Sequence, residues 1–351
     1  TLFGPTEPSN TANYSGPFAS HYDEGRITRS LDASPFWAQA AIASISRYRT
    51  IEAASRIAFY TPVGILIAGP NGSETVTQVI ATAQHQCTSA TLMDGDGLSK
   101  QFPYFAFAPS DCGVWEQGDA GHISPRRLVQ AQIALAQAAG AHWHKVAVDH
   151  VAPKLVHVGK QAHRFDRVLV AAGGYSDSLL GGALSLDVFA RTVAFFEVSA
   201  ETAHQLSTQP SLIYYDTQGR DPYLLPPIRY PDGRYYLKLG GDNIDVKLGS
   251  SSEISDWFRS GGNPEVRDIL QDHFHQRMPK IKVNSYHMAA CVTTFDRSDL
   301  PVLRPLEPDL YVATAGSGRA AKSSDELGRL AALMVLDQAR PSWAQCLLNT
   351  T

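Results

Sequence analysis

The sequence predicts a mixed α/β fold in which an antiparallel sheet is set into a chain of alternating strands and helices. Three observations predict it. Helical and strand periodicities alternate through residues 34–172. Residues 188–246 turn β-rich, with short apolar runs separated by Pro, Gly and Asp turns. A strand, a glycine turn and a helix then return at residues 310–338.

The elements follow in order. Thr1-Leu2-Phe3 reads as a short strand stopped by Gly4-Pro5, which cannot extend a ladder. In residues 34–54, Phe36, Ala40, Ile42, Ile45, Tyr48 and Ile51 recur at helical steps, with Asp32 or Ser34 as the cap. Residues 61–68 form an expected strand and 73–84 a second amphipathic helix. Ser124-Pro125 opens a helix that Gly140 ends. Residues 142–148, which include Val146, and 165–172 are expected strands, the second leaving through Gly173-Gly174-Tyr175. Strands at 193–198, 211–216, 223–225 and 234–239, a helix at 265–276, strands at 285–293 and 310–315, and a helix at 324–338 complete the chain.

Composition bounds the function. The 351 residues, 44% hydrophobic, suffice for two packed domains. Charged residues are 18% and the formal net charge is -4, so no basic field exists to hold nucleic acid. The longest apolar stretches, 168–172 and 331–336, fall far short of the roughly 20 residues that span a bilayer, and no signal peptide is evident. A soluble, cytoplasmic protein is expected, as monomer or homodimer. Cys87, Cys112, Cys291 and Cys346 form no CxxC pair, which argues against a disulfide framework and a zinc cluster.

Four features could carry chemistry. The turn Gly316-Ser317-Gly318 before a helix could present backbone N–H groups to a negative charge, or be an ordinary tight turn. Arg26 and Arg29, in the segment that starts at Ser20-His21, could converge on one anion, or pair in a solvated loop with Asp23 and Glu24. Lys238 in Tyr235-Tyr236-Leu237-Lys238-Leu239-Gly240 is either the outward residue of an alternating strand or a buried cation with a task. Cys291 is either a small core residue or a special thiol.

Taken in order, these motifs resemble the monomeric sarcosine oxidase family of FAD-dependent amine oxidases, the D-amino-acid-oxidase type of flavoprotein with a glutathione-reductase-like Rossmann domain. The family's Ser-His-Gly-Asp-x-Arg-Ile-x-Arg is similar to residues 20–29, with one extra residue before Arg26. Its Gly-x-Trp is matched by Gly173-Gly174-Tyr175, its Leu-Lys-Leu-Gly by residues 237–240, its Cys-x-x-Thr by Cys291–Thr294, and its Gly-x-Ser-Gly-x-x-x-Lys by residues 315–322 with Ala315 in the first place. The resemblance implies covalent flavin attachment at Cys291, and Lys238 beside the flavin N5 promoting reaction with oxygen. It implies Arg29 and Lys322 on the substrate carboxylate, Arg26 beside the isoalloxazine, and Tyr223 on the substrate side. Ser20, His21, Val146, Gly173, Tyr175, Gly316, Ser317, Gly318 and Lys322 complete the implied cofactor contacts.

The departures from the family also carry expectations. Asp242 stands where the family has histidine, which disfavours a simple carboxylate substrate or favours a cationic one. Gly4-Pro5 stands where an acidic residue would meet the adenosine ribose, and no Gly-x-Gly-x-x-Gly turn occurs, so the opening βα unit is expected to be missing. The implied FAD domain comprises residues 1–75, 120–185 and 285–351, and a substrate domain 76–119 and 186–284. The expected reaction is oxidation of a secondary amine or N-methyl amino acid by oxygen, giving imine and hydrogen peroxide. A flavoprotein dehydrogenase, or a non-catalytic relative that binds a small molecule or partner, is the alternative.

Overall fold

The computed structural model describes residues 1–86, 90–218 and 220–349, so Cys87 lies outside the described residues. Among them Cys112, Cys291 and Cys346 are free, no His, Cys, Asp and Glu group could hold a metal ion, and no helix is long and apolar enough to cross a membrane.

Alternation of inward apolar residues builds the dominant element, a nine-stranded sheet. Its path runs Val246–Lys247, Asp187–Val198, Tyr235–Gly240, Tyr223–Arg229, Ser211–Tyr214, Ile65–Pro70, Asp111–Glu116 and Ala90–Asp94; Ser285–Phe295 also pairs with Asp187–Val198. One face buries Leu66, Phe196, Leu212, Leu224, Leu237 and Leu239 against Val266, Leu270 and Phe274 of helix Pro264–Arg277. Ile65–Pro70 and Ser285–Phe295, which the sequence division places with the FAD-binding segments, are hydrogen-bonded into this sheet.

Two short parallel pairings form a second layer: Leu2–Phe3 with Trp143–His144, and Val168–Val170 with Leu310–Thr314. Phe3 stacks on His144 and meets the Phe165 ring edge-on. Helices Pro35–Ser55, Pro125–Ala138 and Ala320–Val335 pack beside them through Trp37, Ala41, Tyr48, Leu128 and Leu330. Arg47 ties the first of these helices to the last by reaching Asp325 at 2.5 Å and Glu326 at 2.8 Å.

The strong helix signals hold. Ser124 accepts from the Arg127 amide, Pro125 occupies the first turn, and Gly140 follows at φ +92°. Ser34 is the cap position of Pro35–Ser55 but its side chain makes no capping bond. Several strands differ from the sequence reading. The expected strand 61–68 divides at Gly64 (φ +84°): Tyr60–Thr61 pairs with Gly121–Ile123, and Ile65–Pro70 enters the large sheet. The expected strand 142–148 shrinks to Trp143–His144 because its partner ends at Gly4-Pro5, leaving Val146 in an exposed bend. The C-terminal helix starts at Ala320, four residues earlier than its sequence signal.

Candidate active site

Lys238 sits on the sheet face opposite Leu237, and that second face is covered by the segment entering strand Arg26–Thr28. The lysine is fully buried, so the outward-facing alternative fails. Its Nζ donates to Gly25 O at 2.9 Å and to the Asp23 carboxylate, and the same carboxylate pairs with Arg26. Arg26 also donates to Ser20 O at 3.3 Å and to Cys291 Sγ at 3.4 Å. Burial and the neighbouring Arg26 push the Lys238 ammonium well below the ordinary lysine range. One place thus brings together the buried Lys238, Arg26 and the partly buried Cys291.

Arg26 and Arg29 do not converge on one anion. Three positions apart on an extended chain, they point to opposite faces. Arg26 turns to Asp23, whereas Arg29 turns to Asp32 at 3.6 Å. Neither pairs with Glu24, which is instead held by Arg126, Arg127 and Ser124. Asp32 also meets Lys322 at 2.9 Å and Arg319 at 3.9 Å through the same oxygen. Lys322 is therefore beside Arg29, but on a carboxylate that the chain itself supplies.

The turn before helix Ala320–Val335 is left-handed at Ala315 (φ +59°), Ser317 (φ +46°) and Gly318 (φ +67°). Within it the Arg319 and Ala320 amides donate to Gly316 O at 2.7 and 3.0 Å, which closes the turn. The Ser317 amide donates to Thr294 O, which joins the turn to the strand carrying Cys291. Arg29 Nε, Thr293 Oγ1 and Ser317 Oγ are buried here without a hydrogen-bond partner. Orphaned side-chain donors beside this turn fit the polar edge of a flavin, since buried polar groups otherwise carry a penalty.

The remaining predicted residues fall into two groups. Tyr223 pairs with Gly240, and its ring lies where a Cβ on Gly240 would come within 2.3 Å of it, which explains the glycine after Lys238-Leu239. Burial raises the Tyr223 hydroxyl above the ordinary tyrosine range, and the neighbouring Arg26 partly opposes it. Ser20 donates to Val292 O at 3.4 Å, and burial pushes His21 down to about 4. Gly173 (φ +58°) accepts from Thr314 Oγ1 at 2.9 Å.

Tyr175 is a brace in the fold: its hydroxyl accepts from the Phe18 amide and bonds Ser255. Val146 makes none of these contacts; it lies in the exposed bend past its strand. Asp242 accepts from the amides of Thr192 at 2.8 Å and Ile244 at 3.0 Å, so its carboxylate tethers backbone.

Sequence reasoning missed two central residues, Asp23 and Asp32. Asp23 was legible only as a possible loop partner of arginine, and Asp32 only as a helix cap. The signal available for both was an acidic residue three positions from an arginine, Asp23 before Arg26 and Asp32 after Arg29.

A parallel-strand layer, a glycine turn opening a helix and an antiparallel sheet carrying a buried lysine make up a mixed α/β scaffold. The chain belongs to the DAO family of FAD-dependent oxidoreductases, described as "FAD dependent oxidoreductase", which matches residues 5–334. A comparison with curated proteins finds no match. Among solved structures, NikD, an unusual amino acid oxidase essential for nikkomycin biosynthesis, is similar with TM-score 0.76 and 16% identity, over 99% of this chain and 90% of that one. Fructosyl amine:oxygen oxidoreductase (amadoriase I) from Aspergillus fumigatus gives 0.72 and 15%, over 98% and 82%. L-proline dehydrogenase from P. horikoshii gives 0.72 and 13%, over 91% and 84%.

Proposed function

We propose that this FAD-dependent oxidoreductase oxidises the C–N bond of a secondary amine, N-methyl amino acid or amino acid, with oxygen as acceptor. The substrate loses two electrons and two protons to become an imine, and oxygen gains both to become hydrogen peroxide. The observation that carries the reading is the completely buried Lys238, held beside Arg26 and Cys291. A buried ammonium there is placed to stabilise negative charge as oxygen is reduced.

Bound flavin supplies the two-electron acceptor. This chain's residues do the rest. Arg29, whose Nε is free of protein partners, anchors a substrate carboxylate, and Lys322 supports it from the far side of Asp32. Tyr223 walls the substrate side, and Gly316, Ser317 and Gly318 face the cofactor's anionic edge. Ser20, His21 and Gly173 help shape the cofactor site, and Cys291 is the candidate for covalent attachment. The cofactor is assigned to 1–75, 120–185 and 285–351 and the substrate to 76–119 and 186–284. Strands Ile65–Pro70 and Ser285–Phe295 make the large sheet their common wall.

NikD and amadoriase I are described as oxidases and the P. horikoshii protein as a dehydrogenase, so the acceptor is the point to test. Purified protein supplied with FAD is assayed for peroxide, oxygen uptake and dye reduction with a panel of N-methyl amino acids and secondary amines. Peroxide formation that collapses in Lys238→Met, while anaerobic flavin bleaching by substrate survives, is the expected result. Dye reduction without oxygen uptake would assign a dehydrogenase. Protein that takes up no FAD sinks the reading.

A further inference from the structure

We propose that Asp23 is a positioning residue whose carboxylate keeps the Lys238 ammonium charged and aims the Arg26 guanidinium at Cys291. The carboxylate is itself fixed. Its Oδ1 accepts from the Glu24 amide at 2.8 Å, the Gly25 amide at 3.3 Å and the Tyr230 hydroxyl at 2.8 Å. That leaves Oδ2 to the two cations, Lys238 and Arg26. An aspartate on a mobile loop could not hold two cations in register; one clamped by three donors can.

Every other charge facing Lys238 works against or beside it. Arg26 repels the ammonium, and total burial removes its water. Glu24 is committed to Arg126, Arg127 and Ser124. Tyr230, hydrogen-bonded to Asp23, and Tyr223, near Arg26, are both raised by burial and stay neutral at ordinary pH. Cys291 touches Arg26 and gives Lys238 a weaker attraction only when ionised. Asp23 is thus the carboxylate on which the charge of Lys238 depends. Removing it leaves two cations adjacent in a dry site, and the lysine is the one able to lose its proton.

The functional meaning rests on the proposed role of Lys238 in oxygen reduction, and the test separates the two. The FAD-loaded protein is labelled with 15Nζ lysine, and the Lys238 signal is assigned by its loss in Lys238→Met. In the unsubstituted protein the signal should be that of an ammonium at pH 7, even though burial and Arg26 lower its titration. In Asp23→Asn it should report a neutral amine at pH 7, with oxygen reactivity falling at least tenfold, and Asp23→Glu should restore most of both. A charged Lys238 in Asp23→Asn overturns the proposal. So does a neutral Lys238 at pH 7 in the unsubstituted protein, a measurement that remains decisive if Asp23→Asn fails to fold. If the charge is lost as expected while oxygen reactivity persists, the hold of Asp23 stands and the oxygen role of Lys238 falls.

Discussion

The Lys322 ammonium lies 2.9 Å from Asp32 Oδ2, and both side chains are almost wholly buried. Arg29 and Arg319 face the same oxygen, so one carboxylate serves three cations. Despite burial, Lys322, Arg29 and Arg319 hold the Asp32 carboxyl down to about 2. Burial and Arg29 push Lys322 down to about 8 in spite of Asp32. Each partner therefore stays ionised at neutral pH.

Asp32 gives an acid signature. Its folded value lies below its unfolded one, so its contribution is complete above about pH 4 and is lost as pH falls through 2. The size is about 2 kcal/mol, from a shift of nearly two units. Urea denaturation from pH 5 to 2 should show this loss, and Asp32→Asn should lose less stability over that range, keeping only the share of other paired carboxylates such as Glu326 and Asp216.

Breaking the pair should hurt more than replacing it. Asp32→Asn leaves three cations without their carboxylate and should cost about 3–5 kcal/mol. Adding Lys322→Met removes one uncompensated charge, so the double variant should recover part of that loss. Chemical denaturation of all four proteins checks it. A purely additive result would show that the two side chains do not interact.

His122 is one of the histidines, with His21, that should shape the mildly acid range. It is 8% exposed on strand Gly121–Ile123, and burial pushes it down to about 4. The unfolded chain binds the proton near pH 6.5 and the folded one only near 4. Stability therefore falls as pH drops between those values, by about 3 kcal/mol. His122→Gln should remove its own share of the slope across that window and leave that of His21, read by thermal unfolding at closely spaced pH.

How much of this was legible depended on what each signal measures. Ser124-Pro125 and Gly140 state the ends of a helix locally, and the helix formed where they placed it. Strand Asp111–Glu116 left no comparable mark. Gly113 sits within it because a Cβ would come within 2.8 Å of Ile67 O, a contact with a strand more than forty residues away. The order of the motifs identified the family. Alternation at Tyr236 and Lys238 named a face of the sheet but not what covers it, so the burial of Lys238 depended on the residue 23–26 segment.

Gly240 offers a direct test of the wall beside Lys238. A Cβ there would come within 2.3 Å of the Tyr223 ring, inside any van der Waals distance. Gly240→Ala should displace Tyr223 and cost about 1–3 kcal/mol of stability. With substrate in hand, its KM should rise more than kcat falls. Gly240→Ala combined with Tyr223→Ala removes the clash and should regain much of the stability in a denaturation series.

Ala315 poses a finer balance, because a residue the family makes glycine is here alanine at φ +59°. The left-handed conformation costs an L-residue roughly 1–2 kcal/mol, so relief alone would favour Ala315→Gly. Two effects oppose it. The methyl is 1% exposed among Leu184, Val302 and Val312, and losing its burial costs about 0.8 kcal/mol. Glycine also adds unfolded-state entropy worth about 0.4–1 kcal/mol. These terms nearly cancel, so Ala315→Gly should shift stability by less than about 1 kcal/mol. Ala315→Val keeps the backbone strain and adds a β-branched side chain where such residues rarely occur, so it should be far more destabilising. Thermal unfolding of the two variants decides the point: a large gain in Ala315→Gly would mean that the methyl packs poorly and strain dominates the turn.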